Sequence, residues 1–296
     1  MIYNHKLIND LRWAISSPSL LDNTPYDSKY LLSSDWGESQ ISDNLQLLTT
    51  EDKSPQRIQQ YFSNKNGFRL GYYFEDLVAY WLEISPRYQL ICKNLIVSGE
   101  KITLGELDFI IQDLYENKTI HLEVAVKFYL GTTHNKDKYW FGSNLRDRLD
   151  LKLDKLFNKQ ITFSDSTKVK ELLASKNITI DEHAILLKGR LYDHSSNISQ
   201  QPCWINASEF CKIKDESLWI KLNKTHWLAE QNNIEYNFLP SAVLNKNELN
   251  AYLSSEAFTQ PVCMAKINNG SETNRIFITP DTWKENAIST LNGFNQ

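Results

Sequence analysis

Cysteine is scarce: four residues in a chain of 296, at Cys92, Cys203, Cys211 and Cys263, with no C-x-x-C pair and no other zinc-ligand spacing. They read as free thiols of a reducing compartment, and a structural zinc site of the usual kind is excluded. No apolar run reaches the ~18 residues that a bilayer span needs, so no membrane partner is expected. The opening MIYNHKLINDLRW lacks the apolar core of a secretory signal, and the expectation is cytoplasmic. Positive charge is not in excess either. A net charge of −4 excludes a strongly basic, non-specific nucleic-acid coat while allowing local patches. Repeats and a low-complexity tail are also missing. What remains is 41% hydrophobic and 12% aromatic residues, enough for a sizeable core in one large domain or two smaller ones.

Within that ordinary composition, residues 105–130, GELDFIIQDLYENKTIHLEVAVKFYL, place carboxylates and a lysine in an apolar setting. Ile120, Leu122, Val124 and Val126 alternate with His121, Glu123, Ala125 and Lys127, the period of a strand. Leu107, Phe109 and Ile111 alternate with Glu106, Asp108 and Ile110 in the run before it. QDLYENK between them is turn-like, with Asp113 and Asn117 suited to a bend, so the two runs predict an antiparallel hairpin. Centring the loop between Tyr115 and Glu116 brings the apolar sets to one side. Phe109 then faces Leu122, Leu107 faces Val124 and Asp108 faces Glu123. Facing side chains in such a pair lie ~5 Å apart at Cβ, where like charges repel. Two carboxylates so close call for a divalent cation, a basic partner or a shared proton. The plainer reading is that this side of the hairpin is solvated.

Elsewhere, residues 2–16 and 55–66 carry loose helical patterns, and a loop at 16–28 ends the first of them. Residues 69–85 predict a stronger helix, with Phe74, Leu77, Val78, Trp81 and Leu82 on one stripe and Pro86 as its stop. Residues 87–99 predict a strand leading into the hairpin. Leu145, Leu149, Leu153 and Leu156 mark a further helix, and residues 183–193 another strand. Beyond residue 200 the chain reads as strands with polar turns, including Asn269-Gly270, around a helix at 245–254. The expected division is a domain at 1–200 with an N-terminal helical extension, and a C-terminal α+β portion at 201–296.

The order helix, strand, carboxylate hairpin, helix, strand resembles the PD-(D/E)XK nuclease superfamily. GELDFII is similar to that superfamily's G-E-[IL]-D strand, and HLEVAVKF to its E-x-K strand. More closely, RLGYYFEDLVAYWL, GELDF, LEVAVKFYL and NLRDRLDLKLDKL together resemble a bacterial domain-of-unknown-function family placed in that superfamily. The closer likeness spans most of the chain, whereas the superfamily motifs cover residues 70–190. The resemblance implies an α/β, restriction-endonuclease-like core and metal-dependent hydrolysis of phosphodiester bonds in DNA. By the same resemblance Asp108 and Glu123, with the backbone carbonyl of Val124, hold Mg²⁺ or Mn²⁺. Lys127 acts on the attacking water or the anionic transition state, and Glu75 supplies an additional acidic group.

One departure stands out. The superfamily lysine lies two residues after the glutamate, where this chain has Ala125; Lys127 comes four residues after it, on the same strand face. That departure favours a rival reading, a catalytically silent nuclease-fold module that binds nucleic acid or a protein partner. A second rival is a purely structural module. Arg148 and Lys152, on a basic side shared with Arg146 and Lys155, are expected phosphate contacts, although Asp147, Asp150 and Asp154 interleave and an i,i+4 pair of Arg146 with Asp150 accounts for part of the pattern. Glu106 and His121 read as structural or solvated groups, and most of the eight tryptophans as core.

Overall fold

The stripe Phe74, Leu77, Val78, Trp81 and Leu82 is buried along helix Leu70–Ile84 in the computed structural model, which describes residues 3–22, 24–65, 69–99, 102–234 and 238–293. Two compact units emerge, each built from separate chain segments. The first holds residues 1–126 and 151–189, the second 127–150 and 190–296. A single cut after residue 200 therefore does not describe them: strands at 118–134 and 182–194 each run from one unit into the other.

In the first unit, α1 (Lys6–Ser16), α2 (Ser34–Asp43), α3 (Leu45–Lys53), α4 (Gln56–Ser63) and α5 (Leu70–Ile84) precede β1 (Tyr88–Ser98), β2 (Thr103–Asp113) and β3 (Lys118–His134). β4 (Asp137–Gly142) belongs to the second unit. Then come α6 (Leu149–Lys155), a π-helical turn (Leu156–Gln160), α7 (Thr167–Ser175) and β5 (Glu182–His194). β1, β2 and β3 form an antiparallel meander, and β5 lies beside β3. Lys118 pairs with Glu182, and the Asp181 N–H donates to the Thr119 carbonyl at 2.9 Å. β3 and β5 thus start side by side and run the same way, so the sheet is mixed. Ile111, Ile120, Leu122 and Leu186 line a cavity on one face together with Val78, Trp81 and Leu82 of α5. Val97, Leu107 and Ile110 meet Val169 and Leu173 of α7 on the other. A sheet covered on both faces buries both side-chain sets of its central strands.

In the second unit, β4 pairs with the end of β3, and beyond β5 the strands run in the order β6 (Cys203–Asn206), β10 (Ser271–Thr279), β9 (Val262–Asn268), β7 (Leu218–Leu222) and β8 (Val243–Leu244). β6 and β10 are parallel, and β9 and β10 are a hairpin turned at Asn269-Gly270. Ile205, Phe210, Trp219, Leu249, Met264 and Ile276 form its core. Helix Lys246–Leu253 is closed by a capping box between Asn245 and Glu248.

Several expectations need correction. β3 does not end at Lys127 but continues to His134 and turns into β4. The turn uses Asn135 (φ 50°) and Lys136 (φ 74°), a primed hairpin turn without its usual glycine. The helix expected from Leu145 begins at Leu149, because Leu145 (φ 60°) closes a turn onto the Gly142 carbonyl. Arg146 and Arg148 therefore precede the helix and form no basic side with Lys152. Arg148 instead makes a bidentate pair with Asp150 at 2.6 and 2.8 Å, and its backbone bridges Phe141. α2, α3 and α7 are not marked by the periodicity. Trp81, Trp204, Trp219, Trp227 and Trp283 are buried, in line with a core role.

Candidate functional site

From the turn to Phe109↔Leu122 the register is the one that the apolar alternation demands, but the expected Leu107–Val124 pair is not part of the ladder and Leu107 packs with Ile110 on the α7 side. β2 and β3 pair from Asp113↔Lys118 to Phe109↔Leu122. Asp113 supports the bend by accepting from the Tyr115 and Glu116 N–H groups at 3.0 and 3.2 Å, and Asn117 adopts φ 53°. Past Phe109↔Leu122 the side chains take over from the backbone ladder. Asp108 Oδ2 accepts from the Val124 N–H at 2.9 Å, and the Asp108 N–H reaches Glu123 Oε1 at 3.4 Å. The two expected carboxylates thus meet, each tied to the opposite strand.

β1 is irregular at the same level. Lys93↔Phe109 and Leu95↔Leu107 are paired, and between them Asn94 lies at φ 54°, a region that asparagine tolerates. The Asn94 side chain hydrogen-bonds Glu75, half-buried on α5. Burial raises the Glu75 carboxyl above its usual range; Lys93 opposes that, and Glu106 and Asp76 add to it. Burial also pushes Asp108 up to about 7, helped by the charges of Glu123 and Glu75 and opposed by the Val124 N–H and by Lys152. Glu106 itself is exposed, as the plainer reading held.

The solvated reading of the Glu123 side is wrong. His121 and Glu123 both have 0% exposure. Glu123 Oε1 meets His121 Nε2 at 3.0 Å, and Glu123 Oε2 accepts from Gln160 Nε2 at 2.9 Å. His121 Nδ1 lies 2.9 Å from Ser164 Oγ, which lies 3.0 Å from His183 Nε2, itself 3.4 Å from Asp165. Glu123, His121 and Ser164 have the connectivity of an acid–histidine–serine triad. Ser164 is only 2% exposed, however, so the chain fixes Glu123 rather than presenting a nucleophile. Gln160, Ser164 and His183 had no signal in the sequence: Gln160 ends a π-helical turn, Ser164 lies in a segment without periodicity, and His183 is one more residue at the start of a strand.

Gly105, which opens the GELD run, has a packing reason. A Cβ there would meet the Phe163 ring at 2.5 to 3.0 Å. Phe163 starts the short 3₁₀ turn (Phe163–Asp165) that carries Ser164. Gly105→Ala is expected to cost ~1–3 kcal/mol by overpacking, read as a lower urea midpoint with an unchanged slope. A midpoint equal to wild type would show that Phe163 yields freely.

Lys127 belongs to the second unit and pairs there with Asp147 at 2.5 Å. Lys152, half-buried on α6, donates to Gln160 Oε1 at 3.0 Å. The site therefore offers two converging carboxylates, a third nearby and a hydrogen-bonded frame. Among the described residues, no group of three or more His, Cys, Asp or Glu side chains is placed to hold a metal by itself, and no helix is long and apolar enough to cross a membrane.

No curated protein and no solved structure matches the chain. A family model described as a domain of unknown function, DUF1853, does match, over residues 9–279, and the chain belongs to that family.

Proposed function

We propose that this protein is a metal-dependent nuclease that hydrolyses phosphodiester bonds in DNA. The observation that carries the reading is the Asp108–Glu123 pair, set on adjacent strands where the β2–β3 ladder gives way to side-chain bonds. The PD-(D/E)XK resemblance supports it, since α5, β1, β2, β3, α6 and β5 follow in the order that the restriction-endonuclease-like core implies.

The donor set fits a hard divalent cation. Asp108 and Glu123 with the Val124 carbonyl give oxygen ligands only, too few to enclose an ion. That suits Mg²⁺ or Mn²⁺, which retain several waters. Burial first, and then the charges of Glu123 and Glu75, raise the Asp108 carboxyl, and a cation at the pair would offset both. When bound, such an ion supplies a Lewis acid that activates water and balances charge on the phosphate. The protein's own part is orientation. Val124 N–H fixes Asp108, while His121 and Gln160 fix the two oxygens of Glu123. Glu75, anchored by Asn94, adds a further acidic group on the α5 side. Lys152, on α6 in the same unit as the carboxylate pair, is the proposed phosphate contact, whereas Arg148 belongs to the second unit and is paired there with Asp150.

A second reading, a catalytically silent module that binds nucleic acid or a protein partner, is favoured by Ala125 at the superfamily's lysine position and by the commitment of Lys127 to Asp147. Cleavage of single- and double-stranded DNA and RNA with Mn²⁺, Mg²⁺ or EDTA separates the two.

A further inference from the structure

The stripe that seats α6 and its π-helical turn contains Leu149, Leu153 and Leu156, all buried. Two polar residues share that side. Lys152 lies three residues after Leu149 and four before Leu156, and Gln160 lies four after Leu156. The surrounding polar positions Asp154, Lys155, Asn158 and Lys159 are exposed, whereas Lys152 and Gln160 are half-buried. A π turn admits an extra residue, here through the Ile161 N–H to the Leu156 carbonyl at 3.1 Å, and such turns recur at functional sites. It brings Gln160 to a position where its amide bridges two groups. Gln160 Oε1 accepts from Lys152 Nζ at 3.0 Å, and Gln160 Nε2 donates to Glu123 Oε2 at 2.9 Å.

We propose that Lys152, held toward Glu123 through Gln160, is the fixed positive charge of the Asp108–Glu123 site, with Gln160 as the positioning residue between them. This deepens the nuclease reading and rests on it for the chemistry. The lysine absent from position 125 is replaced from α6 rather than from position 127. Both ends of the Gln160 amide are engaged, so the lysine leaves this position only by breaking its bond to the side chain that also holds Glu123. Lys127, by contrast, directs its ammonium to Asp147.

The role can be tested on the metal-free full chain, in EDTA at about pH 8.5. Melting temperatures of wild type, Asp108→Asn, Lys152→Gln and the double variant form a double-mutant cycle. Asp108→Asn is expected to raise Tm about 2 °C more in the Lys152→Gln background than in wild type, because relief of like-charge repulsion counts for more once its counter-charge is gone. The same cycle with the exposed Lys155→Gln is expected to be additive. Lys152→Arg keeps the charge and should respond to Asp108→Asn as wild type does. It also serves if Lys152→Gln fails to fold. Additivity in the Lys152 cycle, or an arginine variant that behaves as the glutamine one, would overturn the inference and reduce Lys152 to packing. Coupling in a protein that shows no Mn²⁺ response would sink the metal reading and leave the charge role of Lys152 standing.

Discussion

Mn²⁺ at about a hundred times its Kd is expected to raise the melting temperature of the wild-type protein by about 5 °C, and that of Asp108→Asn hardly at all. A ligand at that concentration stabilises the folded state by about 2.7 kcal/mol, and a chain of this size gains roughly 2 °C per kcal/mol. Without metal, Asp108→Asn should be as stable as wild type or more so, because it removes one of two facing negative charges. The response should also grow with pH. A carboxyl whose folded-state pKa is raised holds its proton more tightly in the folded protein. Its stabilising contribution is complete below the unfolded value, near 3.8, and lost as pH rises through about 7. Mn²⁺ competes with that proton, so its stabilisation should be larger at about pH 8 than at pH 6. An equal Mn²⁺ shift in Asp108→Asn would remove Asp108 from the site.

His121→Leu is expected to lower stability by ~2–4 kcal/mol, a fall of several degrees in Tm, measured in EDTA. His121 has no exposure and joins Glu123 Oε1 at 3.0 Å to Ser164 Oγ at 2.9 Å. Leucine fills a similar volume but takes the imidazole away from a buried carboxylate oxygen, left with the long Asp108 N–H contact, and from a buried hydroxyl, left with His183. Glu123→Gln removes the buried charge, so it should shrink the cost of His121→Leu in the double variant. A loss below about 0.5 kcal/mol for His121→Leu would mean that water or a rotated Ser164 replaces the imidazole, and that Glu123 is not held as described.

Much of the site follows from alternation. One apolar side in each strand fixes the pairing Phe109↔Leu122, and with it the meeting of Asp108 and Glu123. The α5 stripe is equally legible, because its five apolar residues recur at helical spacing. Alternation says which residues share a side, however, and not whether that side is wet. His121 and Glu123 look like a solvent face until residues 156–166 and α7 cover them, and nothing periodic marks that cover. Asn94 carries no mark beyond being an asparagine, yet its positive φ aims it at Glu75. The β3–β4 turn is hidden because Asn135-Lys136 adopts a conformation usually signalled by Asn-Gly. The helix start is misplaced by periodicity because Leu145 continues the leucine spacing while its backbone turns the other way.

The Asp108–Glu123 pair is the proposed site of metal-dependent phosphodiester hydrolysis. Its most direct test is cleavage across a panel of single- and double-stranded DNA and RNA by wild-type and Asp108→Asn proteins from matched preparations. Each is assayed with Mn²⁺, Mg²⁺ and EDTA. Cleavage of DNA by wild type is expected to need a divalent ion and to fall at least about a hundredfold in Asp108→Asn, the scale on which loss of one transition-state-stabilising group is felt. Cleavage that survives EDTA, or that proceeds equally in both proteins, would contradict it. A wild-type protein that takes up Mn²⁺ through Asp108 but cuts no member of the panel would contradict it in favour of the silent binding module.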